Sequence, residues 1–242
     1  MTTFPSFASM AFPTLPDAAL RAREHLEQWL TRSGPRAYAD THDVALGLLG
    51  GAPPCQVLDL GAGRGDLSRR LHALGHDVTA VERYVQQFDA DVPVLDADLN
   101  ARWPFEDASF DATMAVEILE HLENPRGFFR ELSRVLRPRG VAVVSTPNLS
   151  TIISKMLFVA ADQWDLFFDH PWRLRDPYSS TVQGHITPLP SWLLAHHARD
   201  AGLEVEAYGY SRAWLPGVPW RLNPLPRRAA FGRILLVRLR KR

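Results

Sequence analysis

Short apolar runs alternate along most of the chain with longer stretches in which apolar residues recur at helical spacing. Five of these runs predict buried strands, near residues 56–60, 78–82, 93–96, 111–116 and 141–146. The amphipathic stretches predict helices near residues 66–74, 84–89, 125–136 and 191–201. Strands that alternate with helices in this way form a parallel sheet with helices on both faces. We therefore predict an α/β fold.

Both ends of the chain depart from this alternation. Residues 1–50 predict a loose arm followed by two helices, at Asp17–Thr31 and Tyr38–Leu49. Towards the other end, two further strands are predicted at Leu203–Tyr210 and Arg233–Leu239. We predict that residues 51–242 form the main domain and that residues 1–50 precede it as an N-terminal extension.

The stretch from Leu149 to Pro190 interrupts the pattern after the fifth strand. At about forty residues it is too long for a plain connection. It begins with an apolar run, Thr151–Val159, that predicts a helix, and it continues through several aromatic residues. Ligands of open α/β sheets bind at the carboxyl ends of the strands, where this stretch begins. We interpret residues 149–190 as a lid over a substrate pocket; a helix packed on the core is the alternative.

The most specific pattern in the chain is VLDLGAGRGD, residues 57–66. It predicts a strand, a glycine-rich turn and the start of a helix, which is where α/β proteins bind nucleoside cofactors. The dinucleotide pattern G-x-G-x-x-G fits Gly61 and Gly63 but fails at Asp66, where the third glycine belongs. The residues fit D-x-G-x-G-x-G instead, and an acidic Asp59 beside the loop would repel a pyrophosphate.

Three later segments strengthen this interpretation. They are PFEDASFD at 104–111 with EILEH at 117–121, then FRELSRVLRPRG at 129–140, then VAVVSTPN at 141–148. Together with the glycine loop, these motifs resemble, in order, those of the class I S-adenosylmethionine (SAM)-dependent methyltransferases, in particular the ubiquinone-biosynthesis O-methyltransferases. Arg139 stands where that group usually has glycine. The resemblance implies a Rossmann-like, mostly parallel seven-stranded sheet that ends in an antiparallel hairpin.

The resemblance also implies which residues bind SAM. Asp59 suits the cationic amino group of the methionine end, and Glu82, at the end of the second strand, suits both hydroxyls of a ribose. Asp98 and Leu99 resemble the adenine site of the family, although Asp98 taken alone is better explained as an ordinary turn aspartate. The full predicted cofactor set is Asp59, Gly61, Ala62, Gly63, Glu82, Asp98, Leu99 and Ala115.

Methyl transfer to a hydroxyl group needs a base near the cofactor, or else the proton must leave to water. By position, His185, His121 and Glu117 are the candidate catalytic residues. In the ubiquinone-biosynthesis enzymes the phrase E-x-LEH is thought to bind a divalent ion, which here would use Glu117, Glu120 and His121. These residues are also spaced to share one face at the start of a helix, so a plain polar cluster explains them, and we predict no metal.

Composition limits the number of domains, the net charge and the cellular compartment that we expect. Its 242 residues suffice for one α/β domain with additions, and the formal net charge is zero. Cys55 is the one cysteine, which fits a reducing compartment, and we find no signal peptide or membrane span. All basic residues except Lys155 and Lys241 are arginines, which suggests a GC-rich bacterial genome. We expect a cytoplasmic protein.

The C-terminal segment is positively charged, although the chain as a whole has no net charge. Pro219–Arg242 contains eight arginines and lysines and no acidic residue. Such a segment is typical of peripheral contact with the inner face of a membrane, or of an anionic substrate. A solvated basic face on the last strand is the alternative.

The leading functional hypothesis is a SAM-dependent methyltransferase that acts on a small-molecule or lipid-like acceptor, at oxygen. Nucleic acid is not expected as a partner, because the net charge is zero and no additional binding domain is evident. A SAM-binding but catalytically silent subunit that supports a partner protein is the alternative from another class. An NAD-dependent enzyme is disfavoured, because it would need glycine at position 66.

Overall fold

Seven strands form one sheet at the centre of the structure, a computed structural model that describes residues 40–51, 53–162, 164, 166–167, 184–212 and 225–242. The strands are β1 (Gln56–Leu60), β2 (Asp77–Val81), β3 (Val94–Leu95), β4 (Phe110–Ala115), β5 (Leu136–Pro147), β6 (Leu203–Tyr210) and β7 (Ile234–Lys241). Their order across the sheet is β3-β2-β1-β4-β5-β7-β6. β7 runs antiparallel to both of its neighbours, and the other pairs are parallel. The predicted fold class is confirmed.

The helices connect and cover these strands. In the described residues they are α1 (Thr41–Leu49), α2 (Asp66–Ala73), α3 (Pro125–Val135), α4 (Ile152–Ala161) and α5 (Ser191–Asp200), with 3₁₀ turns at Val85–Gln87 and Leu119–His121. None of them is long and apolar enough to cross a membrane. The predicted helix at Asp17–Thr31, residues 168–183 of the predicted lid and residues 213–224 lie outside the described part of the chain.

Two apolar clusters cover the two faces of the sheet. On β1, Leu58 and Leu60 belong to one cluster and Val57 to the other, as the alternation of side chains along a strand requires. The first cluster also contains the apolar faces of α3 and α5, and the second contains those of α1 and α2. The core therefore holds the strand ends in fixed positions on both sides.

The strand order reverses between β1 and β4, which are neighbours although β2 and β3 come between them in the chain. Open α/β sheets bind ligands in the crevice at such a reversal, outside the carboxyl ends of the strands. The residues that follow β1, β2, β3 and β4 meet at this edge. All of the predicted cofactor residues lie in these four strands or in the segments that follow them.

Candidate functional site

The three glycines of the loop after β1 serve different purposes. All three have positive φ angles, +71° for Gly61, +58° for Gly63 and +84° for Gly65. A Cβ atom at Gly61 would lie 2.8 Å from the side chain of Ile118, and one at Gly65 would lie 2.6 Å from that of Ala90. At Gly63 a Cβ atom would meet nothing within 4 Å. Packing explains the first and last glycine, and Gly63 leaves open space in which a ligand can approach the backbone.

The same loop is fastened to β2. The amides of Gly61 and Ala62 both donate to the carbonyl oxygen of Val81, at 2.9 Å and 3.0 Å. Val81 is the last residue of β2, so the loop lies across the end of the neighbouring strand. The loop that would surround a cofactor is therefore held in place by the sheet itself.

Glu82 follows β2 and holds two loops together. One oxygen of its carboxylate accepts from the amide of Gly63 at 2.8 Å, and the other accepts from the amide of Tyr84 at 2.9 Å. The residue is half-buried, and each carboxylate oxygen keeps a second lone pair. Glu82 is thus fixed at the edge of the open space beside Gly63, where it can still accept from the hydroxyls of a ribose.

Asp59 lies beneath the loop. Its side chain is 2% exposed, and it accepts a hydrogen bond from the Ser68 hydroxyl at 2.6 Å. Burial raises the pKa of Asp59 to about 6, with a smaller contribution from the nearby Glu82, while the bond from Ser68 acts in the opposite direction. The structure shows Asp59 as a brace between β1 and α2. Its predicted contact with the methionine end of SAM stays a prediction.

The remaining cofactor candidates follow β3 and β4. Asp98 is exposed, lies 3.6 Å from the Arg83 guanidinium and accepts from the amide of Asn100 at 2.9 Å. Leu99 is buried in the core, and so is Ala115, the last residue of β4. Asp98 is therefore accessible at the carboxyl edge. Leu99 and Ala115 support the edge with their side chains inside the protein.

The segment after β4 differs from the sequence-based expectation. The sequence predicted that Glu117, Glu120 and His121 lie on one face at the start of a helix. Instead, Glu117 has a φ of +54° and its amide donates to the Ser145 hydroxyl at 2.7 Å, and only Leu119–His121 forms a short 3₁₀ turn. That expectation was wrong, because Glu117 lies outside the turn in a left-handed conformation and the turn itself is only three residues long. Strained residues of this kind are common at functional sites.

His121 and His185 meet at this turn, although 63 residues separate them in the chain. Their rings are 4.9 Å apart and inclined by 75°. Nδ1 of His121 lies 3.1 Å from the carbonyl oxygen of Gly184, and Nδ1 of His185 lies 2.7 Å from that of Leu166. Because a carbonyl only accepts, each Nδ1 carries a proton, and in the neutral form of either ring the lone pair is on Nε2. Burial lowers the pKa of His121 from its usual 6.5, which favours this neutral form.

Glu120 lies between the two histidine loops. Its backbone carbonyl accepts from the amides of Ile186 and Thr187, at 2.9 Å and 3.0 Å, and so ties the segment that carries His185 to the turn after β4. Its side chain is 1% exposed, and one carboxyl oxygen has no hydrogen-bond partner. Burial, together with the nearby Glu117 carboxylate, raises the pKa of Glu120 well above its usual range.

Glu120, His121 and His185 could hold a divalent ion. One ligand atom from each residue lies within 4.8 Å of the others, and a carboxylate with two imidazoles is a donor set that transition metals prefer. This is not the set suggested by the sequence, since His185 takes the place of Glu117. The prediction that no metal is bound stays a prediction.

The sequence did not reveal Ser68, Ser145 and Thr187 as parts of the site. Ser68 braces Asp59, Ser145 supports the strained Glu117, and the Thr187 hydroxyl donates to the carbonyl of Leu122. Ser145 belongs to the STPN phrase, which was a usable signal. Nothing in the local pattern distinguishes Ser68 or Thr187 from surface residues.

The unusual pKa of Asp59 generates a prediction for stability. A carboxyl group whose pKa is higher in the folded state than in the unfolded state stabilises the fold fully only below pH 4. This contribution is lost as the pH rises through about 6, and a difference of two pKa units corresponds to about 3 kcal/mol. Asp59→Asn stays neutral and keeps an acceptor for Ser68. Relative to the wild type, its free energy of unfolding should therefore rise between pH 4.5 and pH 7.5.

Urea denaturation at the two pH values measures this difference. Asp96→Asn is the control, because Asp96 is an exposed carboxylate after β3. A difference between wild type and Asp59→Asn that is the same at both pH values would contradict the assignment.

Comparison with known proteins shows a similarity to one family over most of the chain. A family model described as "Methyltransferase domain" matches residues 19–208, more than half of the chain. A "probable S-adenosylmethionine-dependent methyltransferase" of Mycobacterium tuberculosis is 39% identical over 110 residues, which cover 41% of this chain and 39% of that protein. A ubiquinone biosynthesis O-methyltransferase of Xanthomonas campestris is 32% identical over 124 residues, covering 46% of this chain and 50% of that protein. The matches thus span half or less of these relatives.

A solved structure supports the same fold. The 1,6-didemethyltoxoflavin-N1-methyltransferase of Burkholderia thailandensis, determined with bound 1,6-didemethyltoxoflavin and S-adenosylhomocysteine, superimposes with a TM-score of 0.54 at 19% identity. The match covers 96% of this chain and 94% of that one. With the family model, the glycine loop and the open space beside Gly63, these findings agree with the resemblance seen in the sequence. The chain belongs to the family of SAM-dependent methyltransferase domains.

Proposed function

We propose that this protein transfers a methyl group from SAM to a small-molecule or lipid-like acceptor, at an oxygen atom. One observation carries the choice of oxygen. Two imidazoles lie together beside the turn that follows β4: His121, which belongs to the turn, and His185, whose ring is 4.9 Å away. Ile118, which begins this turn, packs against Gly61 of the cofactor loop. A base that can accept a hydroxyl proton therefore lies beside the loop that would hold the cofactor.

The residues after β1 and β2 would hold SAM. Gly63 leaves room for it, Glu82 would accept from the ribose hydroxyls, and Asp98, accessible after β3, would accept from the adenine amine. When bound, SAM supplies a methyl group activated by a positive sulfur. The protein's part is to hold an acceptor oxygen in line with the bond that breaks, which reduces the barrier by fixing the reacting atoms in position.

The acceptor must lose a proton as its oxygen gains the methyl group. We assign that proton to His185, whose ring is oriented by the contact between its Nδ1 and the Leu166 carbonyl. His121, whose Nδ1 faces the Gly184 carbonyl, has the same arrangement and is the competing base. The half-buried Glu117 lies on the same turn and completes the candidate catalytic set.

Two features favour an apolar or ring-bearing acceptor. The Phe167 ring lies 5.4 Å from that of His185, so an aromatic surface borders the candidate base. The relative from Xanthomonas campestris carries the name of an O-methyltransferase of ubiquinone biosynthesis, which supports an oxygen acceptor of this class. We also propose a cytoplasmic location, which fits a chain with one cysteine. Residues 149–190 are proposed as a lid, because this stretch begins at the carboxyl ends of the strands and contains several aromatic residues.

The alternative is a SAM-binding subunit that supports a partner protein without transferring a methyl group itself. Binding and turnover distinguish the two functions. A chain that binds S-adenosylhomocysteine but methylates no compound in small-molecule and lipid extracts, with labelled SAM and mass spectrometry as the readout, would favour the silent subunit. Transfer of the label to an extracted compound would exclude it.

The assignment of Glu82 predicts a loss of cofactor affinity. Glu82→Ala should weaken the binding of S-adenosylhomocysteine, because charge-assisted hydrogen bonds are worth ~1.5–3 kcal/mol each, or roughly tenfold to over a hundredfold. Calorimetry measures the affinity. Glu106→Ala is the control, since Glu106 is an exposed carboxylate away from this edge. Glu82→Gln keeps the shape of the side chain, so its affinity for S-adenosylhomocysteine should fall between those of Glu82→Ala and Glu106→Ala. Unchanged affinity in Glu82→Ala would rule out the ribose contact.

Two of the three loop glycines, Gly63 and Gly65, give a matched pair of variants. Gly65→Ala would place a methyl group 2.6 Å from the Ala90 side chain and should lower the free energy of unfolding by ~2–4 kcal/mol. Gly63→Ala meets no protein atom and should lower it by only ~1 kcal/mol, from its left-handed backbone. Its methyl group would, however, occupy the open space and weaken binding of S-adenosylhomocysteine. Full affinity in Gly63→Ala would mean that the cofactor does not approach the loop at this residue.

The two histidines predict a separation of catalysis from cofactor binding. If His185 is the base, His185→Ala should lower kcat by roughly 10²–10⁴ while the affinity for S-adenosylhomocysteine is unchanged. His121→Ala tests the competing base, and His196→Ala, an exposed residue of α5, is the control. A loss confined to His121→Ala would transfer the role to that residue. Full activity in both variants would show that the acceptor proton leaves to water.

A further inference from the structure

Helix α4 presents an apolar face to its surroundings. Met156 is 66% exposed and Val159 is 88% exposed, and Ile152 and Ile153 are each about half exposed. Residues 152, 156 and 159 are spaced by four and three positions, so they lie on one side of the helix. Phe158, by contrast, stacks on Trp164 at 4.2 Å. The exposed residues therefore form a continuous stripe, which we call the α4 face: Ile152, Ile153, Met156 and Val159.

The polarity of α4 is the reverse of that of an ordinary surface helix. Its inward side carries Ser154, which is 1% exposed and whose hydroxyl has no hydrogen-bond partner. A helix that packs on a core normally buries its apolar side chains and exposes its polar ones. α4 instead exposes five large apolar side chains, the four of the α4 face and Phe158. This arrangement suits a helix whose outer surroundings are apolar.

Positive charge borders the α4 face. Lys155 lies between Ile152 and Val159 on the helix surface and is exposed. The amide of Ile152 donates to the carbonyl of Ala230 at 3.1 Å, which brings the turn that carries the exposed Arg228 to the start of the helix. Neither Lys155 nor Arg228 has a carboxylate partner among the described residues. α4 itself contains no acidic residue.

The basic residues of the C-terminal strand are arranged differently. Arg238 pairs with Glu206 at 2.7 Å, Arg240 pairs with the same carboxylate, and Arg242 pairs with Glu204 at 2.7 Å. These three guanidinium groups pair with two carboxylates of β6. Arg228, in contrast, is exposed beside α4 and has no carboxylate partner in the part of the chain that the structure describes.

We propose that α4 docks on an anionic lipid surface, with the α4 face inserted at the level of the headgroups and Lys155 and Arg228 against the lipid phosphates. Apolar insertion and basic contacts act together in such interfacial helices. α4 follows β5 directly, at the carboxyl edge of the sheet, so this orientation turns the edge that carries the candidate site towards the lipid. The proposal does not depend on the methyl-transfer function, because docking requires neither SAM nor an acceptor.

Vesicle sedimentation with the full chain tests the proposal without cofactor. The protein should sediment with vesicles of phosphatidylcholine and phosphatidylglycerol more strongly than with vesicles of phosphatidylcholine alone. Met156→Ser/Val159→Ser should weaken binding to the anionic vesicles ~tenfold or more, because two exposed apolar side chains leave the interface. Leu74→Ser/Trp192→Ser is the matched control, since these two side chains are exposed to a similar degree on other helices or their ends.

A second pair of variants tests the contribution of charge. Lys155→Glu/Arg228→Glu should reduce the preference for anionic vesicles by roughly fivefold or more per residue, and added salt should reduce it in the wild type. Arg130→Glu/Arg199→Glu makes the same change of charge at exposed positions of α3 and α5 and should have a smaller effect.

Three results would overturn the proposal. The wild-type chain could fail to sediment with anionic vesicles, or the α4 and control variants could bind equally well. Alternatively, sedimentation velocity could show a dimer that Met156→Ser/Val159→Ser abolishes, without any vesicle binding, which would identify a second copy of the chain as the occupant of the α4 face. Circular dichroism and unfolding of each variant confirm that it is folded before binding is compared.

Discussion

The bond between one carboxylate and two backbone amides organises the cofactor edge. Glu82 accepts from Gly63, in the loop after β1, and from Tyr84, in the segment after β2. Adjacent parallel strands end at the same edge of a sheet, so a single side chain can reach both loops. The residue that would hold the ribose also fixes the loop that would surround it. A change at Glu82 therefore alters the conformation of the loop together with the contact, and the conservative Gln variant is needed to separate the two effects.

The acceptor side of the candidate site, which is the turn after β4 together with the segment that carries His185, depends on a longer series of contacts. Ile118 fills the space that Gly61 leaves, and Glu120, two residues later, accepts from the amides of Ile186 and Thr187. The cofactor loop, the turn after β4 and the segment that carries His185 are thus joined, first through the Ile118 side chain and then through backbone hydrogen bonds. Such contacts hold the segment that carries the candidate base beside the cofactor loop.

The sequence predicted features that depend on neighbouring residues, and it did not predict contacts between residues that lie far apart in the chain. The bounds of β1 and β6 were predicted to the residue, because an apolar run is a local signal. The pairing of His121 with His185 depends on tertiary packing, and no local pattern reveals it. The number of basic residues in the C-terminal segment is likewise a local feature of the sequence. It could not show that Glu206, on a neighbouring strand, pairs with Arg238.

Burial also gives the acceptor side its electrostatic character, which the sequence could not show. It raises the pKa of Glu120 and lowers that of His121, so it shifts both side chains towards their neutral forms. A neutral imidazole can accept a proton, whereas an imidazolium cannot, and a neutral carboxyl nearby does not draw a proton onto the ring. Desolvation thus prepares the turn after β4 to receive a hydroxyl proton. One buried oxygen of Glu120 has no hydrogen-bond partner, and Glu120 belongs to the group of residues that could hold a cation.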